Sequence, residues 1–147
     1  FDKALTELPQ KLRRKALERA FFLKPDLDKD VTFKLMFLRA DYYDPFKAAR
    51  RFAKYFEDKL ELFGEEKLVK KITLDDLTEE DMEVFDSGFF VILPLKDTAG
   101  RPIWFGDVSK HDYSRGTEMT KVAWYQTMAT LEDEAAQLKG ISNVTKC

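Results

Sequence analysis

The spacing of apolar side chains over the first 40 residues predicts two helices. Over residues 2–23, apolar positions recur at steps of three and four with basic residues between them, which is typical of an amphipathic helix that Pro25 ends. Its apolar positions are Leu5, Leu8, Leu12, Ala16 and Ala20. The second is a short buried helix that Asp30 or Thr32 can cap. Its apolar positions are Phe33, Met36, Phe37 and Ala40.

The clearest helical pattern covers residues 45–63. Asp44 can cap this helix, Pro45 stands where a missing N–H costs nothing, and Gly64 supplies a left-handed stop. Most charged residues fall on one face, so the other face must pack against the fold. The apolar face consists of Phe46, Ala49, Phe52, Phe56, Leu60 and Phe63.

Two shorter helical segments are predicted next. The pattern allows a short helix over residues 65–71. After a turn, Thr78 with Asp81 three residues later is a variant of the capping box, and it opens a helix that Ser87 and Gly88 end.

The period then changes from helix to strand. The runs FFVILPL and IWFGDV are short, apolar and rich in residues that favour strands, and the turn-rich KDTAGR joins them, so we predict a β-hairpin. Pro94 and Pro102 cannot donate to a ladder, so each is expected at a bulge, a strand start or an outward edge. Thr117 can cap a long helix that continues through Leu138 and ends at Gly140. Helices followed by a hairpin and a helix predict the α+β class, or the start of an α/β fold.

Composition narrows the class of protein. The chain has 147 residues, 44% hydrophobic, which is enough for one core or two small packed ones. A formal net charge of -2 argues against a dedicated nucleic-acid binder. Cys147 is the only cysteine, which favours a reducing, intracellular compartment without disulfides or a thiolate metal site. Because the chain begins at Phe1 and ends just after a strong helix, we expect it to be part of a longer protein.

Two segments resemble motifs of the CRAL-TRIO lipid-binding family. The run FLRADYYDPFKAARRF resembles the FLRAR-x-F-D-x-x-KA segment of the family's N-terminal helical domain. The run KDTAGRPIWF resembles the D-x-x-G-R-P hairpin that opens its lipid-binding domain. The matching residues are Phe37, Leu38, Arg39, Ala40, Asp44, Lys47 and Ala48, then Asp97, Gly100, Arg101, Pro102, Ile103 and Phe105. Because both motifs stand in the family's order with a helical spacer between them, the resemblance is more specific than either motif alone.

The resemblance implies a fold and a function. It implies a helical domain over residues 1–86 and an incomplete lipid-binding domain over residues 87–147, so the α+β chain would be a truncated part of an α/β fold. Members of the family bind or transfer a hydrophobic small molecule or phospholipid without chemistry and without a cofactor, in the cytoplasm or in transient contact with membranes. A regulatory or protein-interaction module with the same fold is the alternative. The candidate ligand-binding residues are Phe90, Ile92, Ile103, Phe105 and Trp124, each of which could instead be plain core.

Other polar residues favour structural roles. Family members that bind phosphoinositides carry a second arginine where this chain has Asp41, whose negative charge would repel a phosphate, so we expect a neutral or differently held ligand in preference to phosphatidylinositol. His111 has no companion ligand or placed nucleophile, and the acids after residue 74 lack the spacing of a calcium loop. We therefore predict neither a catalytic nor a metal site. The basic run KLRRKALER next to Phe21 and Phe22 suits either an anionic membrane or an ordinary solvated helix face.

Overall fold

The chain folds as an α+β protein in a computed structural model that describes residues 1–9 and 15–146. Its helices are α1 (Asp2–Glu7), α2 (Lys15–Leu23), α3 (Val31–Ala40), α4 (Pro45–Phe63), α5 (Glu79–Asp86), α6 (Gly116–Thr130) and α7 (Glu134–Lys139). Its strands are β1 (Phe90–Lys96), β2 (Pro102–Asp107) and β3 (Ser142–Lys146). The backbone forms two compact units, Phe1–Lys71 and Ile72–Cys147.

The first unit is helical and is built around the apolar face of α4. Phe52 is completely buried on that face, with ring centroids 5.0 Å from Phe37 and 5.1 Å from Phe56. Phe1 and Phe33 also pack edge-on against Phe52. Such aromatic clusters bury a large apolar area for each side chain, so this one stabilises the unit.

The predicted helix caps of this unit are confirmed. Asp30 accepts from the backbone N–H of Phe33, and Asp44 accepts from two amides in the first turn of α4. Gly64 ends α4 with a φ of 75°, in the left-handed region that favours glycine. The predicted helix over residues 65–71 is a 3₁₀ turn at Glu65–Lys67.

Three expectations for the first unit are wrong. Helix α1 ends at Glu7, because Leu8 precedes Pro9 and a residue before proline is pushed out of the α region. The predicted apolar position Leu12 lies outside the described residues, as do the first four residues of the basic run KLRRKALER, so the structure does not test them. Phe46 is 53% exposed because it lies in the first turn of α4, at the margin of the face that packs. Ala40, predicted on a buried face, is exposed at the last position of α3.

The second unit contains a three-stranded sheet in the described part of the chain. Strands β1 and β2 form the predicted antiparallel hairpin, and β3 pairs in parallel with β2, so β2 is central. Pro94 lies in the register shift between Ile92 and Lys96, and Pro102 starts β2. Both prolines therefore occupy positions that need no ladder N–H, as predicted. Strand β3 was not predicted, because five mostly polar residues at a sheet edge lack an apolar period.

The predicted helix from Thr117 to Leu138 is two helices. Helix α6 ends at Thr130, and Asp133 caps α7 by accepting from the backbone N–H of Ala135. Thr117 lies inside α6 and does not cap it, since the residue at the N-cap position is Arg115. The capping box of Thr78 before α5 and the stop at Gly140 are confirmed.

The boundary of the compact units differs from the predicted domain boundary. The units divide after Lys71, because α5 packs against α6 within the second unit. The division into two family domains at residue 87 stays a prediction.

Candidate functional site

The register of the sheet assigns the candidate ligand residues of the hairpin to opposite faces. Ile92 lies opposite Trp104, and Phe90 lies opposite Gly106, so both share the face of Trp104. Phe105 lies opposite Val91, and it shares the other face with Ile103, which is two residues away on the same strand. The two pairs of candidates therefore cannot line one side of the sheet.

Helix α6 covers the face that carries Phe90 and Ile92. The indole N–H of Trp104 donates to Thr130 Oγ1 at 3.1 Å, and the side-chain amide of Gln126 donates to the backbone oxygen of Phe90 at 3.0 Å. The ring of Phe90 packs edge-on against Trp104 with a centroid distance of 4.9 Å. This face is thus largely ordinary protein core.

Trp124 lies on another side of α6. The helix buries Val122, Gln126 and Thr130, which recur every four residues and face the sheet. Trp124 is two residues from both Val122 and Gln126, a rotation of about 200° around the helix axis. The structure therefore does not bring Trp124 together with the four candidates on the hairpin.

An apolar cleft opens where α6 ends beside the bulge of β1. Its volume is about 300 Å³. The residues that line it are Ile92, Leu93, Pro94, Leu95, Lys96, Pro102, Ala129, Thr130 and Asp133. The bulge at Pro94 interrupts the regular pairing of β1 with β2 along one wall of the cleft. Of the five candidates from the sequence, Ile92 alone lines this cleft.

A single ion pair stands among the lining residues of the cleft. Lys96 Nζ lies 2.6 Å from a carboxylate oxygen of Asp133. The hydrogen bond from Lys96 and then that from the Ala135 amide lower the pKa of Asp133. The cleft therefore combines apolar walls with one charged pair, the usual composition of a site for an apolar molecule with a polar end.

The opposite face of the sheet keeps an apolar surface that is partly exposed. It carries Val91, Ile103, Phe105 and Val144, since Phe105 is also opposite Val144 in the pairing of β2 with β3. Val91 is 36% exposed and Val144 is 49% exposed. This face is a second surface on which an apolar partner can pack.

The hairpin motif organises its own turn. Asp97 accepts from the Arg101 amide at 2.8 Å, from Arg101 Nε at 2.7 Å and from the hydroxyl of Ser142 at 2.6 Å. These bonds, that from Ser142 above all, hold the pKa of Asp97 well below its ordinary value. Gly100 has a φ of 78°, as the turn requires. Asp97, Gly100 and Arg101 therefore shape the turn and attach β3 to it.

Asp41, which stands where phosphoinositide-binding members of the family carry an arginine, is compensated by an arginine of this chain. Arg51 binds its carboxylate through two hydrogen bonds, at 2.8 and 2.9 Å. The hydrogen bond to Asp41 raises the pKa of Arg51. The charge of Asp41 is therefore engaged within the first unit.

In the loop between β2 and α6, the side chains of His111, Asp112 and Ser114 are not linked to one another as a catalytic triad would be. His111 packs its ring near Phe89 and Tyr113, while Asp112 accepts from Ser114. Within residues 1–9 and 15–146, no group of three or more histidine, cysteine or acidic residues is placed to hold a metal ion.

The lining residues that the sequence analysis did not mark come from three segments of the chain: residues 93–96 of β1, Pro102 at the start of β2, and residues 129–133 at the end of α6 and in the turn after it. Ala129, Thr130 and Asp133 belong to the end of α6 and the turn after it, which were predicted as the interior of one long helix. The available signal was Pro94, because a proline inside an apolar strand marks the bulge beside which the cleft forms.

Comparison with protein-family models and with curated proteins finds no match to this chain. None of the helices in the described part of the chain is both long and apolar enough to cross a membrane.

Proposed function

We propose that the chain binds a hydrophobic small molecule or the apolar part of a lipid, as its resemblance to the CRAL-TRIO family implies, without catalysing a reaction. The observation that supports this proposal is the apolar cleft of about 300 Å³ between the bulge of β1 and the end of α6. In this function the protein acts in the cytoplasm and contacts membranes transiently to exchange its ligand.

The cleft has the size and lining that such a ligand requires. Its volume is at the lower end of the range for small-molecule sites, which suits a short apolar segment better than a whole lipid. Removing that segment from water contributes roughly 25 cal/mol for each Å² of apolar area. The pair of Lys96 and Asp133 offers hydrogen-bonding groups to the polar end of the ligand.

A second candidate function is docking of a protein partner. The half-exposed apolar face with Val91 and Val144 favours it, since such a surface is as suited to another protein as to a ligand. The two functions use different surfaces of the second unit, so variants of one surface can separate them.

The test is to fill the cleft and measure binding of a fluorescent fatty acid, cis-parinaric acid. Ala129→Trp places a large ring among the lining residues, and Ala99→Trp adds the same ring at an exposed position of the hairpin turn. We expect Ala129→Trp to bind the probe at least about tenfold more weakly, because that loss corresponds to burying part of one apolar side chain. The control, Ala99→Trp, should bind the probe as the unchanged protein does.

Equal binding by both variants, or no binding by the unchanged protein, would contradict the proposal. A protein that binds no fatty acid but captures a protein partner through the face of Val91 would support the second candidate. Mass spectrometry of lipid extracted after incubation with membranes identifies the ligand. Phosphatidylinositol as the dominant lipid would contradict the expectation from Asp41.

A further inference from the structure

The junction between α3 and α4 exposes three aromatic side chains. Tyr42 is 94% exposed, Tyr43 is 59% exposed and Phe46 is 53% exposed. The other aromatic residues of α4 lie against the core or are partly buried. An exposed group of large aromatic rings contributes little to folding and is a feature of interaction surfaces.

The backbone at this junction is strained at the two tyrosines. Tyr42 has a φ of 52° and Tyr43 has a φ of 63°, and they are the only described residues other than glycine with a positive φ. Glycine or asparagine occupies this region more readily than a bulky L residue does. Backbone hydrogen bonds to Arg39 and Leu38 hold the two residues in place. Folding alone would favour a smaller residue at both positions, which points to a role for the exposed rings outside the fold.

The exposed face of α4 next to the junction is basic. Lys47, Arg50, Arg51 and Lys54 recur at steps of three and four, away from the buried positions of the helix. Positive charge in the first turn of a helix, where Lys47 lies, is unfavourable because it meets the positive end of the macrodipole. Helix α4 has no acidic residue in its first turn and no basic residue in its last. The basic residues of α4 are therefore not placed to stabilise the helix through its macrodipole.

Carboxylates compensate most of this positive charge. Asp44 lies 3.7 Å from Lys47, Asp41 binds Arg51, and Asp58 pairs with Lys54. Arg50 is exposed and takes part in no ion pair with another described residue. One guanidinium, a turn beyond Phe46, is thus left for an external anion.

We propose that Tyr42, Tyr43, Phe46 and Arg50, here called the aromatic junction, bind the surface of an anionic phospholipid bilayer. Tyrosine rings suit the depth of the headgroups, because the ring leaves water while the hydroxyl stays hydrated. A guanidinium matches the two oxygens of a lipid phosphate. The proposed function includes a transient membrane contact for ligand exchange but names no surface for it. The aromatic junction, which lies in the first unit, supplies that surface.

The test measures binding to vesicles of phosphatidylcholine with phosphatidylserine and to vesicles of phosphatidylcholine alone. The double variant Tyr42→Gly with Tyr43→Gly removes both rings and also relieves the positive φ, so lost binding cannot be ascribed to strain. We expect it to bind either vesicle at least about tenfold more weakly. Arg50→Gln is expected to weaken binding to the anionic vesicles about fivefold and to leave binding to phosphatidylcholine unchanged, since a single cation near the surface is removed.

Two control variants match these changes. Tyr113→Ser removes a ring that is 87% exposed in the second unit, and Lys3→Gln removes a cation whose side chain is 86% exposed in α1. Both are expected to bind vesicles as the unchanged protein does. The junction variants should also retain cis-parinaric acid binding, which Ala129→Trp should lose, so that failure of this inference is distinguishable from failure of the proposed function.

Several results would overturn the inference. Vesicle binding that the glycine variant leaves intact would do so, as would an equal loss with Tyr113→Ser. A protein that binds neither type of vesicle, or that uses the aromatic junction to capture a protein, would also overturn it.

Discussion

The hydrogen bond between Trp104 and Thr130 joins the central strand to α6 beside the cleft, and its contribution can be measured. The two side chains are 8% and 7% exposed, and the donor and acceptor are 3.1 Å apart. The Thr130 hydroxyl donates its own proton to the backbone oxygen of Gln126 at 2.8 Å, which leaves a lone pair for the indole N–H.

Thr130→Val keeps the branched shape of the side chain but removes the acceptor. The buried N–H of Trp104 is then unsatisfied, which costs about 1–3 kcal/mol. The lost bond to Gln126 matters less, because a hydroxyl that bonds back within its own helix stabilises that helix little. Thr130→Ser is the matched control: it keeps the acceptor and loses one methyl group, worth about 0.8 kcal/mol.

Urea and thermal unfolding followed by tryptophan fluorescence measure both variants. Both tryptophans of the chain, Trp104 and Trp124, belong to the second unit, so the signal reports this unit. A loss of 1 kcal/mol lowers the melting temperature of a unit this small by about 4–8 °C. A valine variant as stable as the unchanged protein, beside a less stable serine variant, would refute the reasoning, because packing and not the hydrogen bond would then hold α6 to the sheet.

Three further predictions concern other parts of the fold. Phe52→Ala leaves a cavity among the rings around α4 and should lower the free energy of unfolding by about 3–5 kcal/mol in urea titrations followed by far-ultraviolet circular dichroism, whereas a change below 1 kcal/mol would contradict the proposed core. Because folding lowers the pKa of Asp97, its carboxylate stabilises the fold above its ordinary pKa of 3.8, and this contribution is lost as the pH falls below that value. In urea titrations, the stability difference between Asp97→Asn and the unchanged protein should therefore be constant from neutral pH down to about pH 5 and shrink at lower pH. A difference that stays constant below the ordinary pKa would exclude this linkage. Tyr42→Gly should raise the free energy of unfolding by about 1 kcal/mol, because glycine tolerates the positive φ, and a destabilised variant would show that the ring packs in the fold.

Features that depend on neighbours in the chain could be predicted from the sequence. The caps at Asp30, Asp44 and Thr78 depend on a side chain that reaches an amide two or three residues away. The hairpin follows from two apolar runs around a turn, and the bulge follows from the missing N–H of Pro94. Pro9, which follows Leu8, is also a local signal for the break after α1, but the prediction followed the helical period alone.

The candidate site could not be predicted in this way. Its walls come from β1, the start of β2, the end of α6 and the turn at Asp133, which meet only through long-range packing. The sequence marked Phe90, Ile92, Ile103, Phe105 and Trp124 as apolar, but the register and the rotation of α6 decided that they face different directions.

By itself, the sequence determined the α+β class, the caps at Asp30, Asp44 and Thr78, the hairpin and the aromatic face of α4, because each rests on steric and hydrogen-bonding preferences over a few residues. Tertiary structure alone decided that Ser142–Lys146 becomes a strand, since these residues have little tendency to pair until β2 offers an edge and Asp97 binds Ser142. It also decided where the cleft opens and that the strained tyrosines are exposed, because burial is a property of the whole packed chain and not of any segment.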